Sequence, residues 1–177
     1  MNTEKINFKE ISSFSVNDKK PQTALSVLFL LIAGIGVGLI FLTKSYKNNT
    51  APIWVIILAV IGFIIVHELV HIMLMTIFSK GKVNIKVKIP TIAVGSDAYF
   101  NKTQYIIIAL APVVILGLVS LICLLMLPYK LLFAVLLTLN FAAASGDYIL
   151  TYYALKQDKN TYFVDKAEKT LVYLQEN

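Results

Sequence analysis

The chain has 177 residues, about one domain's worth of polypeptide. Apolar residues make up 58% and charged residues 15%, against about 45–50% and about 25% in soluble domains. This balance excludes a disordered chain, which needs low hydrophobicity and high charge, and argues against a soluble globule, which could not cover so much apolar surface. The single cysteine, Cys123, excludes an intrachain disulfide and a cysteine zinc site. The net charge of +6 arises from sixteen Lys and no Arg. In so apolar a chain this basic excess points to an integral membrane protein, not to nucleic acid binding.

Residues 1–21 are polar and of mixed charge. An uncharged apolar run follows over 24–43, and a helix of that length matches a hydrocarbon core of about 30 Å. It is longer than a signal-peptide core and is followed by Lys44, so it reads as a retained first span. Three further apolar runs cover 52–78, 103–127 and 131–155. Between the second and third, residues 82–89 alternate strictly between polar and apolar, a strand pattern that Pro90 ends. Gly95, Ser96 and Asp97 suggest a turn, with a short return through Tyr99 and Phe100. The tail, 156–177, is polar with a weak apolar group at Leu171, Val172 and Leu174. The expected architecture is an all-α integral membrane protein, one domain over 1–177, with four transmembrane helices and a short strand or hairpin between the second and third.

Lysine counts set the expected orientation. The two termini and the second loop share one side and carry thirteen Lys, whereas the first and third loops carry three. The termini and the strand segment are therefore expected in the cytoplasm of a multi-pass cell-membrane protein. The absence of Arg and the Ile and Asn richness suggest an AT-rich bacterial genome.

The predicted spans contain four ionisable residues of the Asp, Glu, Lys, Arg or His type: His67, Glu68, His71 and Asp147. An isolated charge at mid-bilayer costs at least about 2.5–3.5 kcal/mol, so such groups need one another, water or a metal. His67-Glu68-Leu69-Val70-His71 is an HExxH sequence. On a helix, residues i and i+4 share a face, so both imidazoles can reach one Zn²⁺, with Glu68 placed to activate water. A catalytic zinc usually takes a third protein ligand. Asp147 is the remaining acid in the spans. Counted from the cytoplasmic ends of the second and fourth spans, His67 and His71 lie eleven and seven residues deep and Asp147 eight, within about one helical turn of each other. The competing reading of the histidines is buried polar packing, and of Asp147 an acid at the membrane interface. Asp97 and Asp165 are weaker ligand candidates because they fall in aqueous segments.

Residues 142–146 are all small (Ala-Ala-Ala-Ser-Gly), which suggests close approach of the fourth span to the second. Asn140 lies on about the same helical face as Asp147. It is a candidate for orienting a substrate or ligand, with helix packing as the competing role, and an alternative third ligand. Gly34, Gly36 and Gly38 suggest a helix-packing face, not a nucleotide loop. Pro112 suggests a kink in the third span. Trp54 and Tyr129 suit the outer interface, Tyr152 and Tyr153 the inner one.

HELVH in the second span, Ala111-Pro112-Val113-Val114 in the third, and Asn140 followed by Ser145-Gly146-Asp147 in the fourth together resemble the DUF3267 family of membrane zincin-type metallopeptidases. That family is distantly similar to the site-2 intramembrane proteases. The resemblance runs from about the first span to the tail. It implies His67, His71 and Asp147 as zinc ligands and Glu68 as catalytic acid/base. The Ser-Gly-Asp-Tyr context of Asp147 departs from the NPxxG-like or LDG-like surroundings usual in site-2 proteases. The expected function is zinc-dependent hydrolysis of peptide bonds in a membrane-embedded protein or peptide, held extended by pairing with the 82–89 strand. The alternative is a non-catalytic zinc-binding membrane protein serving structure, sensing or partner binding.

Overall fold

The computed structural model describes residues 7–47, 51–80, 83–88, 91–166 and 169–176. The chain order is β1 (Asn7–Phe14), α1 (Lys19–Leu42), a single 3-10 turn, α2 (Ile53–Ser79), β2 (Asn84–Lys88), β3 (Thr91–Gly95), β4 (Phe100–Asn101), α3 (Lys102–Met126), α4 (Lys130–Ala143), α5 (Ser145–Leu155), β5 (Thr161–Asp165) and β6 (Thr170–Glu176). Among the described residues, α1, α2, α3 and the α4–α5 pair are long and apolar enough to cross a membrane. Their outward faces carry large exposed apolar side chains, including Leu30, Leu42, Ile53 and Met126. A surface of that kind is tolerated in lipid and not in water.

The expectation of an all-α chain needs correction. Strands β1, β6, β5 and β4 form a four-stranded antiparallel sheet in that order. The N-terminal segment, expected to be polar, and the tail, expected to be polar with a weak apolar group, supply three of its strands. In β6 Thr170 and Val172 are buried and Leu171 and Tyr173 are not, the period of two of a strand with one covered face; in β5 Thr161, Phe163 and Val164 are all buried. The hairpin between α2 and α3 also differs from expectation. Its return strand is β3, with Asn84 opposite Gly95 and Lys88 opposite Thr91. Phe100 joins the larger sheet opposite Phe163. The outer residues of the expected strand, Lys82 and Ile89, lie outside the described residues. Ser96 N–H donates to Asp165 O at 2.6 Å, which ties the end of the hairpin to β5.

Every strand lies at the same end of the helices: before α1 and α3, after α2 and α5. There a buried cluster joins Phe14, Phe100, Phe163 and Val172 of the sheet to Met75 of α2, Tyr105 and Ile108 of α3 and Ala154 of α5. Tyr105 stacks on Phe163 with ring centroids 4.7 Å apart, and its hydroxyl bonds Thr170 Oγ1 at 2.9 Å. Asn101 starts α3 with a capping box: its side chain accepts from Gln104 N–H at 2.9 Å, and its own N–H donates to Gln104 Oε1 at 3.0 Å. Two orphan amides at the helix start are thereby satisfied. Lys102 Nζ donates to the carbonyls of Leu155 and Gln157, closing the C-terminal end of α5.

α3 is central. It packs on α2, α4 and α5, while α1 packs on α4 and α5. The glycine face of α1 is narrower than expected. A Cβ on Gly36 would fall 2.2 Å from Thr138 Cγ2 of α4, whereas Gly34 and Gly38 have nothing within 4 Å of such an atom. Helices α4 and α5 pack mainly on α1 and α3 and little on α2; a Cβ on Gly146, one of the small residues 142–146, would face Leu25 of α1.

Candidate metal centre

α2 is one uninterrupted helix, so His67 and His71 stand one turn apart on a common face. Their rings lie 5.0 Å apart between centroids, at 74° to each other. The fourth apolar run is not uninterrupted: it breaks at Ala144, which ends α4 and begins α5. At the break Ser145 Oγ donates to Ala142 O at 2.6 Å. The break places a helix N-terminus within the apolar run, and Asp147 sits in the first turn of α5. The positive end of a helix dipole favours a carboxylate.

The three side chains converge. His67 Nε2 lies 3.3 Å from Asp147 Oδ2 and His71 Nε2 lies 3.5 Å from Asp147 Oδ1, so each carboxylate oxygen faces a different imidazole. All three side chains are close to buried, at 12–14% exposure. One donor atom from each lies within 4.8 Å of the others, a grouping able to hold a metal ion.

His71 Nδ1 lies 2.9 Å from the carbonyl oxygen of Ile108 on α3. A carbonyl only accepts, so Nδ1 carries the proton. In the neutral ring the Nε2 lone pair then points toward Asp147. A lone pair facing a carboxylate needs a proton or a cation between them. Tetrahedral zinc with bonds of about 2.0–2.1 Å sets neighbouring donor atoms about 3.3–3.5 Å apart; here one donor atom from each residue lies within 4.8 Å of the others. Two imidazoles and one carboxylate also match zinc's preference for nitrogen and oxygen donors.

Glu68 follows His67 and so projects about 100° around the helix from it. It is partly buried. Asn140 is fully buried on α4. Its Nδ2 donates to Val113 O of α3 at 2.8 Å, where Gly117 leaves room for it: a Cβ there would lie 2.9 Å from Nδ2. Its Oδ1 has no hydrogen-bond partner among the described residues. Asp97 belongs to the sheet end of the molecule, where it pairs with Lys166 and accepts from Asn84 Nδ2 at 3.0 Å. Asp165 is in β5. The contact that the sequence reading missed is the Ile108 carbonyl; a backbone acceptor leaves no mark of its own in a sequence.

Membrane-length helices surround a two-histidine, one-aspartate cluster, built on an HExxH helix, that could hold a metal ion. The chain belongs to the DUF3267 family, described as "Putative zincin peptidase", which matches residues 60–162. That match covers more than half of the chain and takes in His67, Glu68, His71 and Asp147. Comparison with curated proteins and with solved structures finds no match.

Proposed function

We propose that this protein is a zinc-dependent intramembrane metalloprotease, with His67, His71 and Asp147 as the metal ligands and Glu68 as the general acid/base. The observation that carries the reading is the convergence of one carboxylate on two imidazoles 3.3 and 3.5 Å away, from two separate helices. Two neutral His and one Asp⁻ leave a divalent ion with one net positive charge to share with hydroxide, a combination that tolerates burial far better than separate charges. Bound there, zinc would supply Lewis-acid polarisation of the scissile carbonyl and a more acidic water.

The chain's own groups do the rest. Glu68, beside the cluster without belonging to it, takes the proton from the attacking water and passes it to the leaving amine. The Ile108 carbonyl holds His71 in the tautomer that presents Nε2. The substrate is a membrane protein or peptide, entering as an extended segment because helical peptide bonds are shielded. β2 pairs with β3 along one edge, and its other edge is the proposed place for the substrate strand. The lysine distribution, thirteen against three, supports a cytoplasmic position for both termini, the sheet and the site's water access.

The alternative is a zinc site used for structure, sensing or partner binding, which would not need Glu68. Glu68→Gln separates the two. A protease loses at least about a thousandfold in turnover of a membrane-inserted reporter peptide, while zinc content measured on the same preparation stays at the wild-type level. Full activity in that variant, or loss of zinc with it, contradicts the assigned role.

A further inference from the structure

We propose that Pro112 is a positioning residue for the metal centre: lacking an amide hydrogen, it leaves the Ile108 carbonyl free to hold His71. The inference rests on the reading that His67, His71 and Asp147 hold zinc. In an α-helix the amide of residue 112 would bond the carbonyl of residue 108. Proline has no amide hydrogen to give. Pro112 lies inside α3, and it is buried. The carbonyl deprived of its donor is therefore the one 2.9 Å from His71 Nδ1, on a different helix and 37 residues away in sequence.

A carbonyl already bonded within its helix would share its acceptor capacity between the helix amide and the imidazole. Ile108 is spared that competition. It is also well anchored, since its side chain is 2% exposed and packs in the cluster that includes Met75, one turn beyond His71 on α2. The result is a fixed tautomer and a fixed ring direction. Partners of a ligating histidine that do this commonly change metal affinity by 10–100-fold when removed.

The test uses full-length protein in detergent micelles, with Pro112→Ala and Pro112→Ser, both of which restore the amide. Three quantities are read: zinc affinity by competition with a chromophoric chelator, the ¹⁵N signals of His71 in metal-free protein at a pH where the ring is neutral, and the thermal midpoint without metal. The expected result is at least a tenfold loss of zinc affinity, a change from one Nδ1-protonated tautomer to a mixture, and a metal-free midpoint that holds or rises. The last follows because proline is the poorest residue for a helix interior. Wild-type affinity with unchanged His71 signals overturns the proposal. So does weaker zinc binding with a lowered metal-free midpoint and unchanged His71 signals, the mark of a general packing defect. If wild-type protein takes no zinc, the metalloprotease reading fails, while the metal-free His71 signals still decide the role of Pro112.

Discussion

The helical triad and the sheet beside it satisfy their polar groups in opposite ways. In the triad, three side chains from distant parts of the chain answer one another: His67 and His71 from α2, Asp147 from α5. Remove one and the others are left in apolar surroundings at a cost of several kcal/mol. In the sheet the backbone satisfies itself through antiparallel ladders, and outward side chains are exposed or paired at the surface. The centre between the apolar helices should thus be sensitive to small displacements, and the sheet tolerant of them as far as metal is concerned.

Ala144 offers the most direct way to break the triad without touching a ligand. It is fully buried at the junction of α4 and α5. Replacing it with Leu overfills that junction, a change that typically costs about 1–3 kcal/mol, and moves Asp147 away from the histidines. Ala144→Leu should lower zinc affinity by at least about tenfold and reduce the unfolding midpoint, both measurable in micelles. A variant that binds zinc like wild type would show that the break does not set the position of Asp147.

The hairpin sharpens the contrast from the other side. Val87→Pro in β2 disturbs a strand edge and no ligand. Cleavage of an extended membrane peptide should fall by about tenfold, the loss of one or two backbone hydrogen bonds, with zinc content unchanged. Equal activity in the two proteins would remove strand pairing from the mechanism. The smallest effect belongs to the surface ion pair of Lys166 with Asp97, both exposed. Asp97 holds the Lys166 pKa above its ordinary 10.5. The pair's contribution is therefore fully present below that value and fades as pH rises through the raised one. Exposure and salt screening keep it small. Lys166→Met should remove only a slight alkaline loss of stability, seen in midpoint-versus-pH curves at low salt, and leave zinc binding alone.

Much of the helical half was legible in the sequence because lipid imposes a simple demand: about twenty apolar residues in a row. The HELVH spacing disclosed a shared face, and counting residues from span ends put Asp147 at the same depth. The break at Ala144 was hidden, because Ala, Ser and Gly read as close packing and signal no chain direction. The sheet was missed for a different reason. The polar residues of Asn7–Phe14 and Thr161–Asp165 resemble an aqueous tail when read singly. The β-branched and aromatic content of Thr161-Tyr162-Phe163-Val164 and Thr170-Leu171-Val172-Tyr173 was the available strand signal. Those two segments pair with each other; what no local pattern reports is the pairing of β6 with β1 at the other end of the chain. Pro112 was visible as a helix irregularity, but the benefit of its missing amide lies on another helix.

The most direct measurement is zinc content by elemental analysis of detergent-purified protein, for wild type, His67→Ala and Asp147→Ala. About one zinc per chain in wild type, lost or strongly weakened in both variants, is the predicted result, because the centre draws its ligands from α2 and α5 together. Zinc-free wild type after zinc is supplied, or full zinc in Asp147→Ala, would contradict a metal centre shared between those helices.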